Sequence, residues 1–372
     1  MQTTRGDWKA IRTIHLSGGC RAFNGLNQIV EFQPHALNGQ IAHFETRAYG
    51  AVFSDLESLG LTIVGVDFFT HADEVKGIYP PEWRAYHARN NTCWPCTDEA
   101  QRWSQIGHAA FSRKQGQFWD MASRISHQLR VCEWRLRQIS DAYHDQLVAR
   151  IKGGEFAAGD RFDDGYTWQA YLAIQAFLVD ACVFRDYLAE FYGRFVCQDK
   201  ALLEGNPITT MGSLKRKVLD KTAHDDGVTK TLKDAAVDGG WLFELGAYRD
   251  LVVHSAPLAK AINRLFATSH ELHITDHGSL PAVRLPIPLN PNAVSRSRAT
   301  GEHFEDFTLQ LDRFSEATSA DATSSDGLLY AHQALNKLTM LAYQLGKQSP
   351  LAPELPHIGS ADIIGPVRFT RA

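Results

Sequence analysis

The sequence has little net charge of either sign. Its 38 lysines and arginines against 42 aspartates and glutamates leave a formal charge of −4 over 372 residues. This balance excludes a chain coated in positive charge for wholesale nucleic-acid binding, although a local basic cleft is still compatible with it, because net charge is only a sum. With 44% hydrophobic and 22% charged residues, the composition is typical of a globular protein and excludes disordered and fibrous classes.

Long hydrophobic runs are also missing. The first residues lack the apolar core that a secretory signal needs. The most apolar stretch, residues 171–184, is interrupted by Gln175 and Asp180 and is too short to span a bilayer. The sequence therefore predicts a cytoplasmic protein with no membrane partner.

Cysteine is sparse, with six residues in the whole chain, which excludes a disulfide framework. Cys132, Cys182 and Cys197 fall in apolar, helical surroundings, where a thiol behaves as a small hydrophobe. Cys93 and Cys96 have the CxxC spacing that can supply half of a zinc site or a redox dithiol, but there is no second such pair. A metal or redox role and two structural thiols in a loop both stay open on the sequence.

A second group of metal-ligand residue types contains His270, His273 and His277. His270 and His273 are three apart beside strand-like residues, whereas the HExxH metal motif needs its histidines four apart on a helix. Solvated polar residues are the default interpretation, and a zinc site is the alternative. No cofactor is predicted, and no metal is predicted at the site that we expect to carry the chemistry.

The first of three regions is residues 1–115, where glycine, proline, asparagine and aromatic residues are scattered around one strand-like run at 61–66. This texture predicts an irregular α+β N-terminal region. The length of the chain fits two domains, or one large core with such additions.

Residues 116–270 carry apolar side chains at steps of three and four, which predicts a bundle of amphipathic helices. The expected helices span about 118–153, 166–197, 227–237 and 241–253. Residues 271–372 predict a β-hairpin-like attachment, a flexible connector rich in Ser, Thr and Ala, and a C-terminal helix, at 272–287, 315–325 and 328–345 respectively. The predicted fold class is therefore mainly α, with β parts at both ends.

The residues that we expect to carry chemistry are Arg249, Asp250 and His254, at the end of a short helix. On an ideal helix Arg249 falls beside the apolar stripe, where a guanidinium is costly unless it is paired or opens onto a cleft. His254 lies about 140° further round that helix. Two arrangements would let Arg249 and His254 act together: the helix ends near Pro257 and His254 turns back, or a twofold partner brings a second copy of the pair.

This segment resembles the HEPN superfamily, the higher eukaryotes and prokaryotes nucleotide-binding domains. The family signature is an Arg, four to six residues and a His, with a polar residue often directly after the Arg. Arg249, Asp250 and His254 fit it with a four-residue spacing, and two long helices precede the motif, as in the family. The resemblance covers roughly residues 118–270 and implies a HEPN-like helical bundle.

The resemblance also implies an activity, that of a metal-independent endoribonuclease working as a homodimer. Arg249 would hold the scissile phosphate, His254 would transfer protons and Asp250 would orient them. Attack by the 2′-hydroxyl would restrict the substrate to RNA. Many family members are toxins or antiviral effectors, which implies an antitoxin or defence-complex partner. In members controlled by nucleotidyltransferase antitoxins a Tyr follows two residues after the His, where this chain has Ala256.

Three further basic residues, Lys215, Arg216 and Lys217, are candidates for contacting an RNA backbone. A run of this kind is more often a solvated face. Two alternatives to catalysis stay open: a HEPN-like but inactive interaction or RNA-binding module, and an unrelated helical fold. In the latter, Arg249 would simply pair with a nearby carboxylate, for which Glu244, Asp180 and Asp186 are the candidates.

Overall fold

The computed structural model describes residues 11–25, 27–34, 42–89, 92–205, 207–225, 227–255, 265–275, 278–295 and 303–356. Within the N-terminal region, six strands form one antiparallel sheet in the order β4-β3-β2-β1-β5-β6. The strands are β1 Ile11–Leu16, β2 Arg21–Asn24, β3 Ile29–Gln33, β4 His43–Glu45, β5 Ile63–Phe69 and β6 Glu82–Ala85. Two helices, α1 Val52–Ser58 and α2 Ala72–Val75, lie before and after β5. This part of the chain is therefore a regular sheet, where the sequence predicted an irregular region.

Four helices pack against one another beside this sheet. They are α3 Pro95–Ser112, α4 Gly116–Lys152, α5 Gly165–Phe191 and, from the C-terminal region, α11 Gly327–Lys347. Helix α4 packs against α3 and α5, and α11 packs against all three. The apolar positions that predicted α4 are fully buried, Ile125, Leu129 and Leu136 among them. The boundary predicted at residue 115 lies in the turn between α3 and α4, two helices that pack along each other.

Polar contacts dock the sheet on α4. Trp83 of β6 donates from its indole Nε1 to the Glu133 carbonyl oxygen at 2.9 Å, and the Glu133 carboxylate accepts from the backbone N–H of Ala85. On the neighbouring strand a Cβ at Gly65 would collide with the Trp83 ring. Glycine at this position therefore lets the indole lie across the sheet and reach α4.

Among the residues that the structure describes between α5 and β8 (Ala267–Ile274), three π-helical turns occur. They are Tyr192–Val196 after α5, Lys215–Leu219 after α6 Met211–Leu214, and Leu251–Ser255 after α8 Trp241–Asp250. Helix α7 Gly227–Ala236 precedes α8, and α8 packs on α5 and α7. The predicted helices at 166–197, 227–237 and 241–253 are confirmed, with wider turns at two of their ends. Such π turns are uncommon and are often found at functional sites.

The predicted β attachment is confirmed as an antiparallel hairpin of β8 Ala267–Ile274 and β9 Gly278–Arg284, extended by the short β7 Arg161–Phe162. A further pair joins β10 Pro286–Pro288 to β11 Ser324–Asp326, with α9 Pro291–Val294 and α10 His303–Ser319 between them. Helix α11 confirms the predicted C-terminal helix. The described chain is thus mainly α with antiparallel β parts.

The flexible connector predicted at residues 315–325 is wrong. The last residues of α10, a 3-10 turn at Asp321–Thr323 and the start of β11 occupy it. Thr318 donates its hydroxyl to the Phe314 carbonyl four residues earlier at 3.0 Å, and the Phe314 side chain is completely buried. Hydroxyl groups that bond back to helix carbonyls let Ser and Thr continue a helix, so their abundance did not indicate a loop here.

Candidate functional site

A small cavity of about 230 Å³ lies at the C-terminal end of α8, and Arg249 and Asp250 line it. Arg185 of α5 and Lys215, the first residue of the π turn after α6, line the same cavity. Asn292 of α9 is also on its wall. Side chains from four separate segments of the chain therefore meet at the predicted motif.

Arg185 is the most buried of the three cations, with 12% of its side chain exposed. Its Nη1 donates to the Leu242 carbonyl at 3.3 Å, and its Nε and Nη2 donate to Oδ1 of Asp186, each at 3.3 Å. A Cβ at Gly246 of α8 would collide with Arg185 Nη1. The glycine in the middle of α8 thus leaves the space that the guanidinium occupies.

Asp186 also positions the segment that carries Lys215. Its Oδ1 accepts from the backbone N–H of Met211 at 2.9 Å, at the first residue of α6, where an N–H has no partner within the helix. Lys215 follows α6 directly, and its Nζ lies 3.1 Å from both carboxylate oxygens of Asp220. The Asp186 carboxylate therefore holds Arg185, on its own helix α5, and also the start of α6, the helix that leads to Lys215.

Arg249 pairs with its neighbour Asp250, since Nη1 donates to Oδ1 at 3.1 Å. The two side chains are 44% and 60% exposed, and exposed pairs of this kind contribute about 0–1 kcal/mol. An incoming phosphate oxygen can therefore replace Asp250 at little cost. The predicted alternative pairings of Arg249 are wrong for Asp180 and Asp186, because these two carboxylates bind Arg135 and Arg185.

Glu244, the third carboxylate suggested as a partner of Arg249, does not line the cavity. Burial raises its pKa, and the positive charge that acts on it comes from Lys337. The charges on the cavity wall are thus those of Arg185, Lys215 and Arg249 against the single carboxylate of Asp250. Asp186 and Asp220, which pair with Arg185 and Lys215, are not on the wall. A wall that presents three cations and one carboxylate is suited to a phosphate group.

His254 is exposed on the π turn Leu251–Ser255 and is not on the wall of this cavity. A π turn holds more residues than an α turn, so it reduces the rotation between two residues five apart. The structure brings Arg249 and Asp250 together with Lys215 at the cavity, whereas His254 is not among the lining residues.

Arg216 and Lys217 do not line the cavity either. Arg216 donates from Nε to the Gly212 carbonyl at 3.3 Å. Of the predicted basic run, only Lys215 is part of the site. The sequence had one signal for the missed Arg185: it is among the few charged residues on a helix that is otherwise apolar nearly all round.

The two suggested metal groups do not assemble a site in the described ranges, where no cluster of three or more His, Cys, Asp or Glu could hold a metal ion. Cys96 is buried at the start of α3, its thiol points to the Leu129 carbonyl, and burial raises the pKa of that thiol well above its usual range. His270 is half-buried, with its pKa lowered by burial, while His273 is exposed. His277 and Ala256 lie outside the described residues.

Exposed apolar side chains flank the motif. Phe243 lies on the cavity wall and is 37% exposed, and Val253, next to His254, is 40% exposed.

Over the part of the chain that the structure describes, no helix combines the length and apolar character that a membrane span requires.

Comparison with known proteins gives no relative: no protein-family model matches the chain, and no curated protein or solved structure is significantly similar to it. The residues of the site are therefore the basis for any inference about function.

Proposed function

We propose that this protein is a metal-independent endoribonuclease of HEPN type, which cleaves single-stranded RNA. The observation that carries the proposal is the meeting of Arg185, Lys215 and Arg249 at one cavity, directly beside the Arg-x4-His motif. Three cations that come from separate segments, against one lining carboxylate, are the features expected of a phosphodiester site.

In the proposed reaction the 2′-oxygen of the ribose attacks the neighbouring phosphorus atom, and the bond to the 5′-oxygen of the next nucleotide breaks. A base takes the 2′-hydroxyl proton, an acid protonates the leaving 5′-oxygen, and the products carry a 2′,3′-cyclic phosphate and a 5′-hydroxyl group. His254 transfers protons, while Arg249 neutralises the charge that develops on the phosphate oxygens. Asp250 holds the Arg249 guanidinium until substrate replaces it.

A homodimer completes the proposed site. His254 does not line the cavity of its own chain, and the exposed Phe243 and Val253 flank the motif. A twofold axis through this surface would bury both apolar side chains and set the two copies of Arg249 and His254 along one cleft. In the cell we propose a cytoplasmic toxin or antiviral effector, controlled by an antitoxin or a defence-complex partner.

The test incubates the full chain with single-stranded RNA in EDTA, beside Arg249→Ala and His254→Ala. We expect cleavage by the native protein, cyclic-phosphate ends on the product, and a loss of about 100-fold or more for either variant. Lys215→Ala should also reduce cleavage, whereas Lys217→Ala, two residues away but off the cavity, should not. Cleavage that survives in both motif variants would exclude this site.

The second candidate is a non-catalytic RNA-binding module. The position of His254 off the cavity wall favours it, because phosphate binding needs only the three cations. It predicts RNA binding that depends on Arg249 and Lys215, no cleavage of any RNA, and no effect of His254→Ala on affinity.

A further inference from the structure

A second and larger cavity, of about 580 Å³, lies between the start of α3 and the C-terminal helix α11. It shares no lining residue with the cavity at Arg249. Its walls include the charged residues Arg89, Asp98 and Glu99 and the less polar Pro95, Met340 and Tyr343. The volume is within the range of small-molecule binding sites, roughly 300–1,000 Å³.

Glu99 is the unusual member of this wall. The residue is only 8% exposed, and its Oε2 is buried with no hydrogen-bond partner among the described residues. Its Oε1 lies 3.8 Å from Nη1 of Arg102, which is too far for a hydrogen bond. The Nε of Arg102 is likewise buried without an acceptor. An incomplete ion pair of this kind leaves a buried acceptor that a ligand can satisfy.

The surrounding charges restrict what that ligand can be. Burial raises the pKa of Glu99 to about 7, and the neighbouring carboxylate of Asp98 acts in the same direction, whereas Arg102, Arg89 and Lys347 act against it. The three cations outnumber the two carboxylates, so this surrounding charge disfavours a further cation. The complementary donor is therefore a neutral N–H group, and an anionic part of the same ligand would be attracted to Arg89 on the wall.

The rest of the wall suits a flat body. Pro95, Met340 and Tyr343 provide apolar surface, and planar heterocycles bind against such side chains while their edges make hydrogen bonds. A planar base with neutral N–H donors on one edge, joined to a phosphate, combines all three requirements.

We propose that this cavity binds a guanine nucleotide, with the Watson–Crick edge of the base on Glu99 and the phosphate near Arg89. Guanine has two adjacent N–H donors on that edge, and one carboxylate accepts both. Adenine lacks the adjacent pair, so the cavity should distinguish the two purines. This site is separate from the proposed ribonuclease site and does not depend on it.

The test is calorimetric titration of the full chain with guanosine 5′-monophosphate, adenosine 5′-monophosphate and guanosine. We expect saturable binding of the guanine nucleotide and an affinity for the adenine nucleotide that is weaker by about tenfold or more. Glu99→Gln replaces one acceptor oxygen with a donor and should weaken guanine binding by at least about the same factor. Arg249→Ala should leave the affinity unchanged.

A second variant separates loss of the site from loss of the fold. Arg89→Gln should lower the affinity for the nucleotide to that of guanosine and leave guanosine binding as it is. Thermal melting confirms that each variant is folded, and the Arg89→Gln pattern decides if Glu99→Gln does not fold. Equal binding of the two purines, full affinity in Glu99→Gln, or absence of binding at millimolar nucleotide would overturn the proposal.

Discussion

His15 Nε2 lies 3.2 Å from Oδ2 of Asp67, inside the interface between the sheet and α4. On its other side, Nδ1 of His15 lies 3.0 Å from the hydroxyl oxygen of Ser140. The hydroxyl, imidazole and carboxylate are thus arranged in the order found in a hydrolase triad. However, His15, Asp67 and Ser140 are only 0%, 4% and 2% exposed, and the Trp83 ring lies beside the imidazole. No substrate can reach these atoms, so the three residues join β1 and β5 to α4.

The pH dependence of stability should reveal the buried imidazole. Burial lowers the pKa of His15, so the unfolded chain takes up a proton, near the usual pKa of about 6.5, before the folded protein does. The stability contributed by neutral His15 is therefore present above that pH and is lost as the pH falls below it.

The variant His15→Gln isolates this contribution, because it removes the titrating group. We expect the native protein to exceed the variant in free energy of unfolding by about 1 kcal/mol more at about pH 8 than at about pH 5.5. Urea unfolding of both proteins at the two pH values measures the difference. A gap that does not change with pH would show that His15 titrates alike in the folded and unfolded chains.

Asp67 should be one of the carboxylates on which the fold depends most. It also binds Arg137 at 2.9 Å and 3.1 Å, and although burial opposes its charge, the hydrogen bonds from His15 and Arg137 hold its pKa below the usual range. Asp67→Asn removes the carboxylate that hydrogen-bonds the largely buried Arg137 and leaves it only Asp141, whose Oδ2 lies 3.9 Å from Nη1. We expect a loss of about 3 kcal/mol in free energy of unfolding.

Asp180→Asn is the control for Asp67→Asn. It breaks the ion pair between Asp180 and Arg135, whose side chains are 23% and 37% exposed, respectively. Because ion pairs that are more exposed to solvent contribute about 1 kcal/mol or less, the expected loss is small. Denaturant unfolding should separate the two variants by about 2 kcal/mol or more. Equal losses would contradict the structural role given to Asp67.

Gly246→Ala should damage the candidate site while leaving the protein folded. The new methyl group would displace the Arg185 guanidinium, whereas alanine in a helix is intrinsically favoured over glycine by about 1 kcal/mol. We expect weaker RNA binding with little change in melting temperature. Gly212→Ala is the control, because Gly212 lines the same cavity and a Cβ there has no atom within 4 Å.

The salt dependence of RNA affinity should be shallow. Three cations line the cavity, and each phosphate contact to single-stranded nucleic acid contributes about −0.7 to the slope of log affinity against log salt. We expect a slope of roughly −2, reduced by about 0.7 in Lys215→Ala and unchanged in Lys217→Ala. Filter binding across a range of salt concentrations measures these slopes, and a much steeper value would indicate a wide basic surface instead of a focused site.

The sequence determined the elements whose signal is local. The apolar spacing in α4, α5, α7, α8 and α11 repeats within each segment, and the alternation in β8 and β9 defines a hairpin across one turn. These patterns predicted helices and strands because a helix or a hairpin buries a face that its own residues specify. The motif residues Arg249, Asp250 and His254 were visible for the same reason.

Only the tertiary structure decided how distant residues meet. The arrival of Arg185 and Lys215 at the cavity of Arg249, and the cavity that encloses the Glu99 carboxylate between α3 and α11, depend on contacts between segments far apart in the chain. The six-stranded sheet likewise requires pairing between strands separated by helices. The neighbours that pack around a residue decide whether water reaches it and whether its charge finds a partner. No local spacing in the sequence specifies which neighbours those are.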